Sequence, residues 1–248
     1  MKILVVADLH YSLPQFDWLE KSAEEVDLLI IAGDLLDLAG FADLDTQIVV
    51  VRKYLERLRA KTRVFVCSGN HDGDVRNEGD EVVAEWLQKA RRENLFVDGD
   101  GFDFGKGRIT VLPWWDGPIT QGQMLEILDR ETAESKTCWF LIHHAPPNES
   151  LISRVRNSDQ GDAFFRETLL RLKPDFAFSG HIHNPPFSDQ GSWIDKIGST
   201  WVFNPGKQLG PFPSHIIIDL ETMRAQWTSV YGIEEVNLNG EGVELAAP

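Results

Sequence analysis

The chain has 248 residues, a length that suits one large domain or two small ones and that can bury a sizeable core. Hydrophobic residues make up 42% and charged residues 25%, which excludes a disordered chain. The net charge of -15, from 39 acids against 24 Lys and Arg, repels nucleic-acid backbones and anionic membranes at long range; bound cations would reverse that potential locally for a small phosphorylated ligand.

Residues 2–7 form a short apolar run that reads as a buried strand, with Asp8 and His10 directly after it. Ser12 and Pro14 mark a helix start, and Phe16, Leu19 and Ala23 carry the helix over 14–24. A strand at 28–32 ends in Gly33-Asp34, and 43–60 is a helix with Ile48, Val51, Leu55 and Leu58 on one stripe. A strand at 63–67 ends in Ser68-Gly-Asn-His-Asp72, and a helix at 80–92 turns Val83, Trp86, Leu87 and Ala90 inward. Strand and helix thus alternate as in a sheet with parallel pairs.

Residues 102–104 and 108–112 form a hairpin around Gly105-Lys-Gly107, a run without the spacing of a nucleotide-binding loop. A helix at 120–135 buries Met124, Leu125 and Leu128, and a strand at 139–142 ends in His143-His144. A helix at 161–172 and a strand at 175–179 lead into Gly180-His-Ile-His183. Period-two patterns place further strands at 193–197, 200–204, 214–219 and 225–230, and the acidic segment 231–248 is expected to be a loosely attached tail. No repeat or linker divides the chain, so one domain over 1–248 is expected.

The two cysteines, Cys67 and Cys138, sit in apolar strands and are expected to be buried reduced thiols. No apolar stretch reaches the roughly 18 residues of a membrane span. The short N-terminal apolar run ends in an acid without a cleavage site, so no secretory signal is expected. A cytoplasmic location follows as an expectation.

Five segments end a strand with metal-binding residue types, and they hold six of the seven histidines. Ligands bind beyond the carboxyl ends of parallel strands, so these segments should converge there. Imidazole suits zinc, iron or manganese, and carboxylate suits manganese or magnesium. Two cations about 4 Å apart need a bridging carboxylate, for which Asp34 stands ready after Gly33. The pairs Asp8/His10 and His181/His183 would lie about 6.6 Å apart in extended chain and can share an ion only if the backbone turns. Neighbouring glycines ease such turns.

The ordered set Asp8-Leu-His10, Gly33-Asp-Leu-Leu-Asp37, Gly69-Asn-His-Asp72, His143-His144 and Gly180-His-Ile-His183 resembles the calcineurin-like metallophosphoesterase superfamily. The resemblance implies an α/β fold, a four-layer α/β/β/α sandwich of two mixed sheets flanked by helices. It implies two divalent ions (Mn2+, Fe2+/Fe3+ or Zn2+), with Asp8, His10 and His183 on one, Asn70, His143 and His181 on the other, and Asp34 bridging. It further implies a bridging hydroxide that attacks phosphorus, His71 as the group that stabilises the transition state or protonates the leaving oxygen, and Asp72 as the residue that orients His71. The family's usual pattern favours His143 over His144 as the ligand, which leaves His144 to touch substrate or support its loop.

Candidate substrate contacts are His144, Trp114, Trp115, Arg154, Arg156 and Lys207. The tryptophans could stack on a ring or simply pack, and the arginines could clamp an anion or lie solvated. Asp37 could hold Asp8, His10 or a nearby backbone amide, or merely start a helix. Leu38-Ala39 after Asp37, and Asp72 after His71, depart from the protein serine/threonine phosphatase pattern. The motifs also resemble the exonuclease branch of double-strand break repair, but the chain has little room for that branch's DNA-capping region. A small-molecule phosphodiester or phosphomonoester is therefore the expected substrate, with nucleic acid disfavoured. A nuclease and a non-catalytic metal-binding scaffold are the alternatives.

Overall fold

A computed structural model describes residues 1–132 and 136–239. Strands Lys2–Val6, Leu28–Ala32, Arg63–Cys67 and Leu95–Val97 pair in parallel, and the antiparallel strands His215–Asp219, Arg224–Ser229 and Gly232–Asn237 extend them into a seven-stranded sheet. The second, six-stranded sheet has Gly107–Val111, Cys138–Ile142, Phe176–Phe178 and Thr200–Phe203 in parallel at its centre. Gly101–Phe104 and Ile194–Ile197 flank it antiparallel.

Alternation along the strands decides what each face meets. Ile3, Val5, Ile30 and Phe65 of the first sheet share one core with Ile109, Phe140, Ile142 and Phe178 of the second. The other face of the first sheet, with Leu4, Val6, Leu29 and Ile31, is covered by helices α1 (Leu13–Ser22), α2 (Leu44–Arg59) and α3 (Glu85–Ala90). Leu141, Ala177 and Val202 of the second sheet pack under α4 (Pro118–Thr132) and α5 (Ala163–Leu172). The layers run helix, sheet, sheet, helix, as the resemblance implies.

Three local expectations need correction. The helix expected over 80–92 is cut to Glu85–Ala90, because Val82–Val83 pairs antiparallel with Val75–Arg76 and Asp74 accepts the Glu85 N–H at 2.7 Å, starting the helix there. The stretch expected to begin a loose tail contains the edge strand Gly232–Asn237, held by the Arg224–Glu235 pair at 2.6 Å and by Trp193 Nε1 donating to Glu234 at 2.8 Å. Cys138 is half-buried rather than buried; Cys67 is buried, and both thiols are free. Residues 240–248 and the expected helix end at 133–135 lie outside the described residues. Among the described residues, no helix is long and apolar enough to cross a membrane.

Candidate metal centre

Asp8, Asp34 and Asn70 follow three parallel strands of the first sheet, and His144, His181 and His183 follow two of the second. Contacts across the two sheets lock these loops together. His144 Nδ1 donates to the Ala32 carbonyl at 2.7 Å, the His181 N–H donates to Asp8 Oδ1 at 3.1 Å, and His181 Nδ1 meets Asn70 Oδ1 at 2.7 Å. The turns that convergence requires occur at the ligand-type residues themselves. Asp8 (φ 56°), His10 (φ 40°), Asp34 (φ 56°) and His181 (φ 66°) all adopt left-handed backbone, which Asp and His tolerate better than most residues and which collects at functional sites. Glycine is needed beside them for space. A Cβ on Gly69 would stand 2.2 Å from Asp34 Oδ1, and one on Gly33 (φ 87°) would stand 2.3 Å from His144 Nδ1.

Two groups of donor atoms result, each with all its atoms within 4.8 Å of one another: Asp8, His10, Asp34 and His183, and Asp34, His144 and His181. Asp34 belongs to both. Its Oδ2 lies 3.6 Å from His10 Nε2 and 3.2 Å from His144 Nε2, while its Oδ1 accepts the His71 N–H at 2.9 Å. In the first group His10 Nε2 and His183 Nε2 are 3.2 Å apart, and both face Asp8 Oδ1, at 3.8 and 3.3 Å. The other Asp8 oxygen, Oδ2, is buried without a hydrogen-bond partner. A buried orphan carboxylate oxygen beside two converging imidazole nitrogens fits a cation and little else.

Protonation follows the same logic. Burial lowers His10 and His181 to about 4, which keeps both rings neutral as ligands must be. Burial works against charge on His144 too, but the Asp34 carboxylate outweighs it and lifts His144 to about 9. Asp34 in turn, despite burial, is held well below the usual carboxylate range by His144. Without a cation, the pair keeps a proton where the donor set calls for positive charge.

The expected roles of several residues shift. His143 is not the histidine that reaches Asp34: its ring packs 4.7 Å from Phe165 of α5, whereas His144 points into the site. The strand's alternation sets this, since Phe140 and Ile142 face the other sheet and Leu141 faces the helices. Asp72 does not hold the His71 ring. Its carboxylate accepts four backbone N–H groups, those of Asp34 (2.9 Å), Leu35 (2.8 Å), Leu36 (3.0 Å) and Gly69 (2.8 Å). The His71 Nδ1 instead faces the Leu38 N–H at 3.4 Å. Asp37 accepts the Ala39 N–H at 2.9 Å and forms a third donor group with His10 and His71.

Trp114 stands 5.2 Å from the His181 ring and 5.7 Å from His144, while Trp115 turns away to Phe164 of α5. Arg154 and Arg156 lie in a small hairpin, Arg154–Val155 with Ser158–Asp159, and neither has a hydrogen bond or ion pair to the donor groups among the described residues. Lys207 is half-buried, its N–H donates to the His183 carbonyl at 3.1 Å, and burial lowers its pKa against the pull of Asp8, Asp37 and Asp34. One positioning residue was not anticipated. Asn204 is fully buried, and its Nδ2 reaches the carbonyls of Ile182 (2.9 Å), Ile152 (3.1 Å) and Gly180 (3.2 Å), tying down the loop that carries His181 and His183. Its sequence signal was an Asn at a strand end before Pro-Gly.

The family profile described as calcineurin-like phosphoesterase matches residues 1–185. The chain belongs to that family, and the fold and the donor groups define it as a metal-dependent phosphoesterase. Similar solved structures include TT1561 of Thermus thermophilus, at 13% identity and TM-score 0.59, covering 96% of this chain and 98% of that one. The purple acid phosphatase PPD1 from yellow lupin seeds matches at 13% identity and TM-score 0.61, over 99% of this chain and 52% of that one. A putative 5'-nucleotidase from Staphylococcus aureus matches at 13% and TM-score 0.54, over 95% of this chain and 52% of its own. At these identities the likeness is one of fold. No curated protein sequence matches this chain.

Proposed function

We propose that the chain hydrolyses a small phosphodiester with two divalent cations, one held by Asp8, His10 and His183 and the other by Asn70, His144 and His181, with Asp34 shared. The observation that carries this reading is the Asp34 carboxylate, which is common to both donor groups. The imidazole–carboxylate set suits manganese, iron or zinc. When bound, such a pair supplies Lewis acidity, charge neutralisation and an activated water near neutral pH.

The chain's own residues supply the rest. A Leu38 N–H directed at His71 Nδ1 leaves the neutral ring's proton on Nε2, ready for a leaving oxygen. The Lys207 ammonium stands in the field of the site carboxylates and offers a positive group to a substrate oxygen. The cavity next to Asn70 carries Asp74, Glu85 and Asp116 against Arg76, which argues for the singly charged diester over a dianionic monoester and against a nucleic-acid strand.

The test is metal analysis with steady-state rates on bis-p-nitrophenyl phosphate and p-nitrophenyl phosphate. Two equivalents of manganese and a faster diester rate, lost on chelation, are expected. An equal or faster monoester rate overturns the diester preference, and no metal-dependent hydrolysis of either overturns the reading itself.

A further inference from the structure

The Asn70 side of the donor groups opens into a cavity of about 620 Å³. The Val75–Arg76 and Val82–Val83 hairpin, the start of α3 and the 113–116 segment wall it. Gly69, Asn70 and Trp114 form the border shared with the metal centre, and the Trp114 ring stands 5.2 Å from His181. Pro113, Val83 and Trp114 are among its apolar lining residues.

The charged lining is one-sided. Asp74, Glu85 and Asp116 line it against Arg76; Arg76 is paired with Asp80 at 3.4 Å and Glu85 with Lys89 at 2.6 Å. Asp74 and Asp116 are tied to backbone: Asp74 accepts the Glu85 N–H at 2.7 Å and Asp116 the Val82 N–H at 2.8 Å. Asp98 is almost wholly buried, with 4% of its surface exposed, and accepts the Ser68 N–H at 2.8 Å; burial favours its protonated form, so it adds little to the cavity's charge. Asp74, Asp98 and Asp116 are therefore fixed in place rather than free to swing out, while Glu85 is held only to Lys89. A phosphate held at the metal centre would extend its organic substituent past Asn70 into this space.

We propose that this cavity is the subsite for the organic half of the ester, and that it accepts a cationic or uncharged group while rejecting one that bears a further phosphate or carboxylate. The inference rests on the phosphoesterase reading for where the phosphate sits. The rejection is electrostatic: an anion brought beside fixed carboxylates in a partly desolvated cavity meets repulsion that water no longer screens. A quaternary ammonium gains from the same field and from the Trp114 face.

Binding and turnover are measured separately so that the two readings can fail separately. Calorimetric titration of the manganese-loaded protein with phosphocholine and with 2-phosphoglycolate compares a cationic and an anionic tail on the same phosphate. Phosphocholine is expected to bind more tightly by about tenfold or more. Glu85→Lys should narrow that gap by about threefold or more, and Arg76→Gln should widen it. The variants change the cavity charge in opposite directions, so a fold defect in one cannot mimic both results. Tighter or equal binding of 2-phosphoglycolate, or a gap that neither substitution moves, overturns the subsite. If the binding gap is found but p-nitrophenyl phosphocholine and bis-p-nitrophenyl phosphate both go unhydrolysed, the hydrolase reading fails while the subsite stands.

Discussion

Phe140 and Ile142 face the opposite sheet, Leu141 faces the helices, and the alternation continues past the strand end, so that His143 turns to Phe165 and His144 turns to Asp34. His144→Ala should therefore empty one cation position and lower turnover at least about a hundredfold, since even outer partners of a ligand cost up to that much. His143→Leu should keep both cations and stay within about 1.5 kcal/mol of the parent stability, because it replaces a buried ring that packs on Phe165 with an apolar side chain. Metal analysis of the two proteins decides between the histidines. Asp72 is the second case. Four backbone N–H groups converge on its carboxylate, and three of them belong to the loop that carries Asp34. Asp72→Asn would turn an amide donor toward those donors and should cost roughly 2–4 kcal/mol of stability. Denaturant unfolding checks this; a variant that lost rate but kept stability would return Asp72 to the task of orienting His71.

At the scale of elements, the parallel strands and their polar ends were legible because buried strands read as short apolar runs and ligand-type residues stand out after them. Residues 28–32 and 63–67 match the observed strands at both ends, and Ile48, Val51, Leu55 and Leu58 all lie buried on α2. The hairpin around 75–83 was not legible, because two-residue strands leave no period to count. Gly232–Asn237 escaped for a different reason: as an edge strand it buries only Val236 and carries acids that suggest solvent. Within the site, the sequence marked which loops meet but not which of two adjacent histidines enters, nor that Asn204 fastens the His181–His183 loop from a neighbouring strand end. Asn204→Ala leaves the Ile182 and Gly180 carbonyls without that donor. It should cost roughly 1–3 kcal/mol of stability. It should also weaken metal binding by about 10–100-fold, as losses of outer-shell support do. A metal-buffer titration that found unchanged affinity would remove Asn204 from the positioning role.

For the whole molecule, the pH dependence of stability sums groups that pull in opposite directions, and substitution isolates each. Burial pushes Asp98 up to about 7, with Ser68 pulling the other way. An unfolded aspartate titrates near 3.9. Between roughly pH 4 and pH 7 the folded chain thus holds a proton at Asp98 that the unfolded chain has lost, and stability falls as pH rises, by at most about 1.4 kcal/mol per pH unit for one such group. His143 acts oppositely. Burial lowers it to about 3, so the unfolded state binds the extra proton up to about pH 6.5, and its contribution rises with pH over that window. The two oppose each other in the parent metal-free protein, where Asp72, raised by burial, and His10 and His181, lowered by burial, also contribute. Asp98→Asn removes the falling contribution alone, so its stability relative to the parent should climb steadily from pH 4 to 7 and then level off. His143→Leu should show the mirror image, with its relative stability greatest near pH 4 and declining toward 6.5. Denaturant unfolding of the three chelator-treated proteins at half-unit steps reads both trends. Parallel curves for Asp98→Asn and the parent would mean that Asp98 stays ionised throughout, its charge held by Ser68 and Arg91.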